Sequence, residues 1–208
     1  MDDAPYEYPV LLEIDYPDRE LDRLTTFFRV FTVIPIAIIL VLISGAVTDW
    51  GKDCYSLPSG GILFLPTALM LLFRRKYPGW WFDWNLAFMR FNTRVSAYLL
   101  LLTDEYPSTD EEQSVHLQVP YPDVRSDLNR WMPLVKWFLA IPHYIALLVL
   151  DIGVVLAAVA AWVAIVFTGR YPQRLFDFTV GVMRWHNRVV GYAFTFVTDR
   201  YPPFRLSA

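Results

Sequence analysis

Charge disappears from this chain in four stretches. Residues 30–48 carry none over 19 positions, 54–73 none over 20, 137–150 none over 14 and 152–169 none over 18. A helix needs roughly 20 apolar residues to cross the hydrocarbon of a bilayer, with about 17 as the shortest workable length. The third stretch reaches that length only when residues 131–135 join it and Lys136 snorkels its ammonium to the headgroups. The pattern predicts a mainly α integral membrane fold with four transmembrane helices in two hairpins. One hairpin closes around 49–56 and the other at Asp151-Ile152-Gly153. The second closure has almost no loop, so a hairpin that dips in from one face and returns is the competing arrangement.

The polar positions repeat. Phe82-Asp83, Met89-Arg90, Arg94-Val95 and Tyr98 return 94 positions later as Phe176-Asp177, Met183-Arg184, Arg188-Val189 and Tyr192. This period divides the chain into tandem units, 1–107 and 108–208. Each unit opens with an alternating stretch that predicts a short strand, residues 10–14 and 115–119. Pro35 and Pro142 fall at matching places early in the first helix of each hairpin, where proline bends a helix. From 80 to 98, Asp83, Arg90 and Arg94 fall on one side of a helix whose apolar area comes from Trp81, Trp84, Phe88 and Phe91. That suits an amphipathic helix at the membrane interface, anchored by Trp80, Trp81, Trp84 and Tyr98, with Trp185 and Tyr192 as counterparts in the second unit. Each unit ends in Thr-Asp-x-Tyr-Pro, which predicts a tail strand beside an opening strand.

Composition agrees with the membrane class, at 55% hydrophobic and 17% aromatic against 19% charged. The start, Met1-Asp2-Asp3, is acidic where a cleaved signal would be basic. Of 18 Lys and Arg, only Lys52 lies in a predicted hairpin tip. Basic residues mark the cytoplasmic side, so the expectation is a multi-pass protein with both termini cytoplasmic. The lone Cys54 excludes an intrachain disulfide and a cysteine-based zinc site.

Candidate chemistry is sparse. Asp83 with Arg90 and Arg94, and Asp177 with Arg184 and Arg188, offer guanidinium forks suited to a lipid headgroup phosphate. The same residues also fit an ordinary interfacial helix whose aspartate caps its first turn. His143, His186 and Asp151 have no further ligands at metal spacing, so neither metal nor cofactor is expected. The seven tyrosines that precede a proline read as rigid turns at the water boundary. Phosphate loops, hydrolase elbows and a basic nucleic-acid face are absent, which sets nucleic acid aside and leaves no catalytic constellation.

The opening Tyr-Pro-x-x-Leu-x-Ile-Asp-Tyr-Pro at 8–17, Ala140-Ile141-Pro142-His143, Phe167-Thr168-Gly169-Arg170-Tyr171-Pro172, Leu175-Phe176-Asp177-Phe178 and Thr198-Asp199-Arg200-Tyr201-Pro202-Pro203-Phe204 resemble the bacterial family catalogued as domain of unknown function 4389. The resemblance covers two tandem copies, the second more closely. It implies a multi-span protein of the bacterial cytoplasmic membrane and carries no established activity. The expected partners are the phospholipid bilayer and a protein in the membrane. The expected role is a non-enzymatic accessory or scaffold subunit. The alternatives are a lipid-binding or small-solute transport component, with paired Arg94 and Arg188 lining a site between the copies, and a lipid enzyme built on Asp83 or Asp177 in a cleft.

Overall fold

The computed structural model describes residues 8–17, 20–44, 64–109 and 111–207. The first predicted hairpin tip, with Lys52 and Cys54, lies outside them. The elements in chain order are β1 (Leu11–Ile14), α1 (Arg23–Ser44), α2 (Phe64–Leu69, continued by a π-helical turn Met70–Arg74), α3 (Gly79–Leu99), β2 (Val115–Gln118), α4 (Met132–Leu139), α5 (Ile141–Thr168) and α6 (Gln173–Ala193).

The strand alternation holds. β1 and β2 pair antiparallel with Leu12 opposite Leu117 and Ile14 opposite Val115, and these four side chains are buried while Glu13 and His116 face water. The two opening strands therefore pair with each other. The predicted tail strands are absent among the described residues. Pro107, Pro202 and Pro203 lack the N–H that a ladder needs, and other groups take the tail carbonyls, as shown below.

The Tyr-Pro pairs at 77–78 and 171–172 set the starts of α3 and α6. Pro78 and Pro172 are extended, with ψ of 134° and 122°, and the helix follows directly. After each of these helices the chain turns through a non-glycine residue with positive φ, Leu101 at 67° and Phe196 at 55°. Backbone bonds Leu102 N–H to Ala97 O and Val197 N–H to Gly191 O, 2.9 and 3.0 Å, hold the two turns alike.

The largest departure is α5. The two spans predicted on either side of Asp151 are one continuous helix of 28 residues, about 42 Å long at 1.5 Å per residue. Asp151 is not a tip: its carboxylate turns toward α6 and meets His186 Nε2 at 2.8 Å. Gly153 serves packing and not reversal, for a Cβ there would sit 3.1 Å from the Phe178 ring. The helix break comes earlier, at Ala140, and Pro142 occupies the first turn of α5, where a missing N–H costs nothing. Pro35, by contrast, lies inside α1. Among the described residues α5 is the one helix long and apolar enough to cross a bilayer, with mean hydropathy 2.6.

The elements stack in layers. α5 packs along α6 and α1 packs on α3 and α5, while α6 and α3 rest on β1 and β2 respectively. α6 lies between α5 and the sheet, which explains why 13 of its residues are buried. The outer layer exposes apolar side chains over its whole length, including Phe31 and Ile34 of α1, Phe138 of α4, and Ile145, Leu148, Ile152, Leu156 and Phe167 of α5.

Candidate functional site

The repeated cations point inward. Arg29, 2% exposed, donates Nη1 to the carbonyls of Tyr98 and Thr103, at 3.2 and 2.7 Å, pairs with Asp104 and lies 4.4 Å over the Tyr98 ring. Lys136, fully buried, donates Nζ to Thr198 O at 2.7 Å, pairs with Asp199 at 2.7 Å and lies 5.0 Å from the Tyr192 ring. Each aspartate also accepts a backbone N–H ahead of the adjoining helix, from Asp22 at 2.8 Å and from Asn129 at 2.5 Å. The Thr-Asp of each tail is thus a receptor for a buried cation, one half using Arg and the other Lys. Lys136 does not snorkel. Burial pulls its pKa down, and Asp199 opposes that shift.

The four arginines expected at lipid headgroups hold backbone. Arg90 Nε donates to Leu117 O at 3.0 Å and Arg184 Nε to Leu12 O at 2.8 Å, so each half grips the strand of the other. Arg94 Nη1 donates to Ser108 O at 2.7 Å. Arg188 donates to Arg205 O and Ser207 O at 3.1 and 2.6 Å. Burial first, then Arg205 and Arg184, press the Arg188 pKa below its ordinary value. Asp83 and Asp177 are exposed on their helices and cap neither first turn, since the residues ahead of α3 and α6 are Pro78 and Pro172.

Of the expected anchors, Trp80 and Trp84 are exposed and Trp81 is half-buried, its indole N–H on Thr67 Oγ1 at 2.7 Å. Tyr98, Trp185 and Tyr192 are interior and cannot serve as anchors. Trp185 donates to His143 Nδ1 at 3.0 Å, and His143 is itself buried and stacked 4.1 Å from Phe204. The tyrosine turns also cross between halves. Tyr16 donates to Tyr171 O at 2.5 Å, and Tyr121 donates to Tyr77 O.

A cleft of about 410 Å³ lies between α3, α5 and α6. Its polar lining is Asn92, Thr93, Ser96, Asp151, His186 and Asn187, with apolar walls including Val154 and Val182. The expected Arg94 and Arg188 do not line it, nor does Asp83 or Asp177. The Asp151–His186 pair is nearly half exposed, which leaves it weakly stabilising. No group of three metal-ligating side chains occurs among the described residues. The arrangement can hydrogen-bond a small polar group against an apolar wall.

Sequence reasoning missed the buried cations and the crossing. A signal for the first was present: Arg29 and Lys136 are matched charges within apolar surroundings, each with a Thr-Asp downstream. No local pattern announces which strand an arginine will reach.

The model of the family described as Domain of unknown function (DUF4389) matches residues 130–205, the stretch holding α4, α5, α6 and the second tail, and supports membership of that family. No curated protein and no solved structure matches the chain.

Proposed function

We propose that the protein is a non-enzymatic accessory or scaffold subunit of a bacterial membrane complex, built as a tandem duplication of one family unit and seated through its outer helical layer. The observation that carries this reading is the contrast between two sets of side chains. The apolar residues along α5 and its neighbours are exposed without an interior partner. The repeated cations are engaged with the chain's own carbonyls and carboxylates. A patch that large marks a membrane or protein interaction face.

Two hairpins with four spans no longer describe the second half, because α5 is one helix. The layering favours the outer helices lying along one leaflet, with the sheet toward water, an arrangement that keeps both termini on the cytoplasmic side. The alternative of a ligand-binding component rests on the cleft between α3, α5 and α6 and not on the arginines.

Flotation with phosphatidylcholine/phosphatidylglycerol vesicles tests the seating. The native protein floats, and Leu148→Glu with Leu156→Glu reduces the floating fraction at least tenfold while helicity is kept. A native protein that stays at the bottom overturns it. Mild-detergent purification from the native host tests the role: a stoichiometric protein partner is expected, and a defined small ligand with no partner favours the alternative.

A further inference from the structure

In the second half, the tail fills a groove of its own. Phe204 stacks on His143 at 4.1 Å and meets Trp185 edge-on at 5.4 Å. Two residues on, Leu206 packs against Gly181 so closely that a Cβ there would lie 2.8 Å from the leucine Cβ. The backbone bends tightly at Phe204, where Arg205 N–H donates to Pro203 O at 2.9 Å, and Arg188 holds it by its bonds to Arg205 O and Ser207 O.

Among the described residues, the first half has the same groove without that filling. Its floor is Ile36, Trp84, Ala87, Phe88 and Phe91, which by the sequence match correspond to His143, Phe178, Gly181, Val182 and Trp185. Where the second tail brings Phe204 and Leu206, the first brings Thr109 and Glu111. The result is an open groove of about 620 Å³ between α1, α3 and the connection, its floor aromatic and its rim bearing Glu111. Trp84 and Phe88 lie parallel at 5.6 Å, which presents a flat face to an incoming side chain.

We propose that this groove binds a short peptide segment of a partner protein, with an aromatic residue and an aliphatic residue two positions apart and a basic residue between them. The pattern is that of Phe204-Arg205-Leu206 in the equivalent groove. The first two requirements come from the tail itself, where Phe204 and Leu206, two positions apart, both pack into the second groove, and from the aromatic floor of the first. The third comes from charge complementarity with Glu111. Arg94 stands where Arg188 clasps peptide carbonyls, and it already donates to the adjoining Ser108 O. An acyl chain matches the floor but supplies neither the carbonyls nor the cation.

This inference rests on the scaffold reading and names the chemistry of its partner. The test measures fluorescence anisotropy of a labelled peptide with the sequence of residues 201–208, titrated with the full-length protein in phosphatidylcholine nanodiscs. Saturable binding is expected, weakened at least tenfold when the peptide phenylalanine is replaced by alanine. The substitution Ala87→Leu, which fills the seat of the aliphatic residue from an exposed helix position, is expected to weaken it similarly. Absence of saturable binding, including from a groove already covered by the chain's own residues, overturns the proposal. So does binding indifferent to both changes, or displacement of the peptide by palmitate with no dependence on its phenylalanine. If Ala87→Leu fails to fold, Phe88→Ala takes its place: it removes half of the flat face and is expected to weaken binding similarly, and unchanged binding overturns the proposal. Failure here leaves vesicle flotation unchanged, so it is distinguishable from failure of the membrane-seating reading.

Discussion

Thr93 and Asn187, 94 residues apart, meet at the centre of the molecule: the threonine hydroxyl donates to the asparagine Oδ1 at 3.1 Å. They occupy matching positions of the sequence repeat, as do Leu12 and Leu117, which face each other in the sheet. Two such pairs place the two halves face to face, and the crossed bonds of Arg90, Arg184, Tyr16 and Tyr121 follow from that placement.

Removing one partner of a buried ion pair costs about 3–5 kcal/mol, because the other is left uncompensated. Lys136→Met is expected to destabilise by that order in urea unfolding, whereas Lys136→Arg, which reproduces the chemistry of Arg29, costs about 1 kcal/mol or less. Adding Asp199→Asn to Lys136→Met recovers part of the loss. Equal losses for Met and Arg would show that the charge at this site is unimportant.

High pH is expected to unfold the protein. Burial raises the pKa of Tyr8, Tyr77, Tyr171 and Tyr192 above the ordinary tyrosine value. The folded state therefore holds protons that the unfolded state releases, and stability is lost as pH rises above about 10. Lys136 acts in the opposite sense, since its folded pKa is lowered and stability is gained as pH rises toward its unfolded pKa. That gain ends near pH 10.5, while the tyrosine loss continues. Phenolate absorbance at 295 nm should rise in step with the loss of helical circular dichroism, and a gradual rise with helix intact would contradict the burial.

The continuity of α5 is testable at Asp151. Proline inside a helix costs about 3 kcal/mol or more, and a hairpin tip accepts it readily. Asp151→Pro should cost that much, and Asp151→Ala about 1 kcal/mol or less, because the bond to His186 is half exposed. Near-neutral thermal melting of the proline variant would restore the tip.

Gly191 lies against Val10, the residue ahead of β1, and a Cβ there would meet Val10 Cγ2 at 2.7 Å and Val197 Cγ2 at 3.3 Å. Gly191→Ala is expected to cost about 1–3 kcal/mol by overpacking. A stabilised variant, as helix propensity alone would give, would mean the strand can withdraw.

What the sequence disclosed was governed by short-range periodicity. The alternation in 10–14 and the 3.6-residue pattern of α3 and α6 depend on neighbours within a turn or two, and the strand and both helices formed, although α6 is packed between α5 and the sheet and not at an interface. Asp151 misled because a charge within an apolar run reads as a boundary, yet its partner His186 lies 35 positions away. Arg90 and Arg184 misled for a similar reason. A guanidinium looks alike in sequence whether it meets phosphate or a strand carbonyl, and the carbonyl of Leu12 is 172 residues from Arg184. Tyr98, Trp185 and Tyr192 are amphipathic rings that suit a headgroup or a buried polar cluster equally well.

The exchange of strands changes the meaning of the connection between β2 and the end of α3. Because β1 rests on α6 and β2 on α3, cutting the backbone there would leave two fragments that each lack a strand for their own helix. The fragments are expected to recognise one another, with a melting temperature that then depends on dilution. The connection acts as a tether that raises the effective concentration of one half for the other. Each half completes its packing only with the strand that the other supplies.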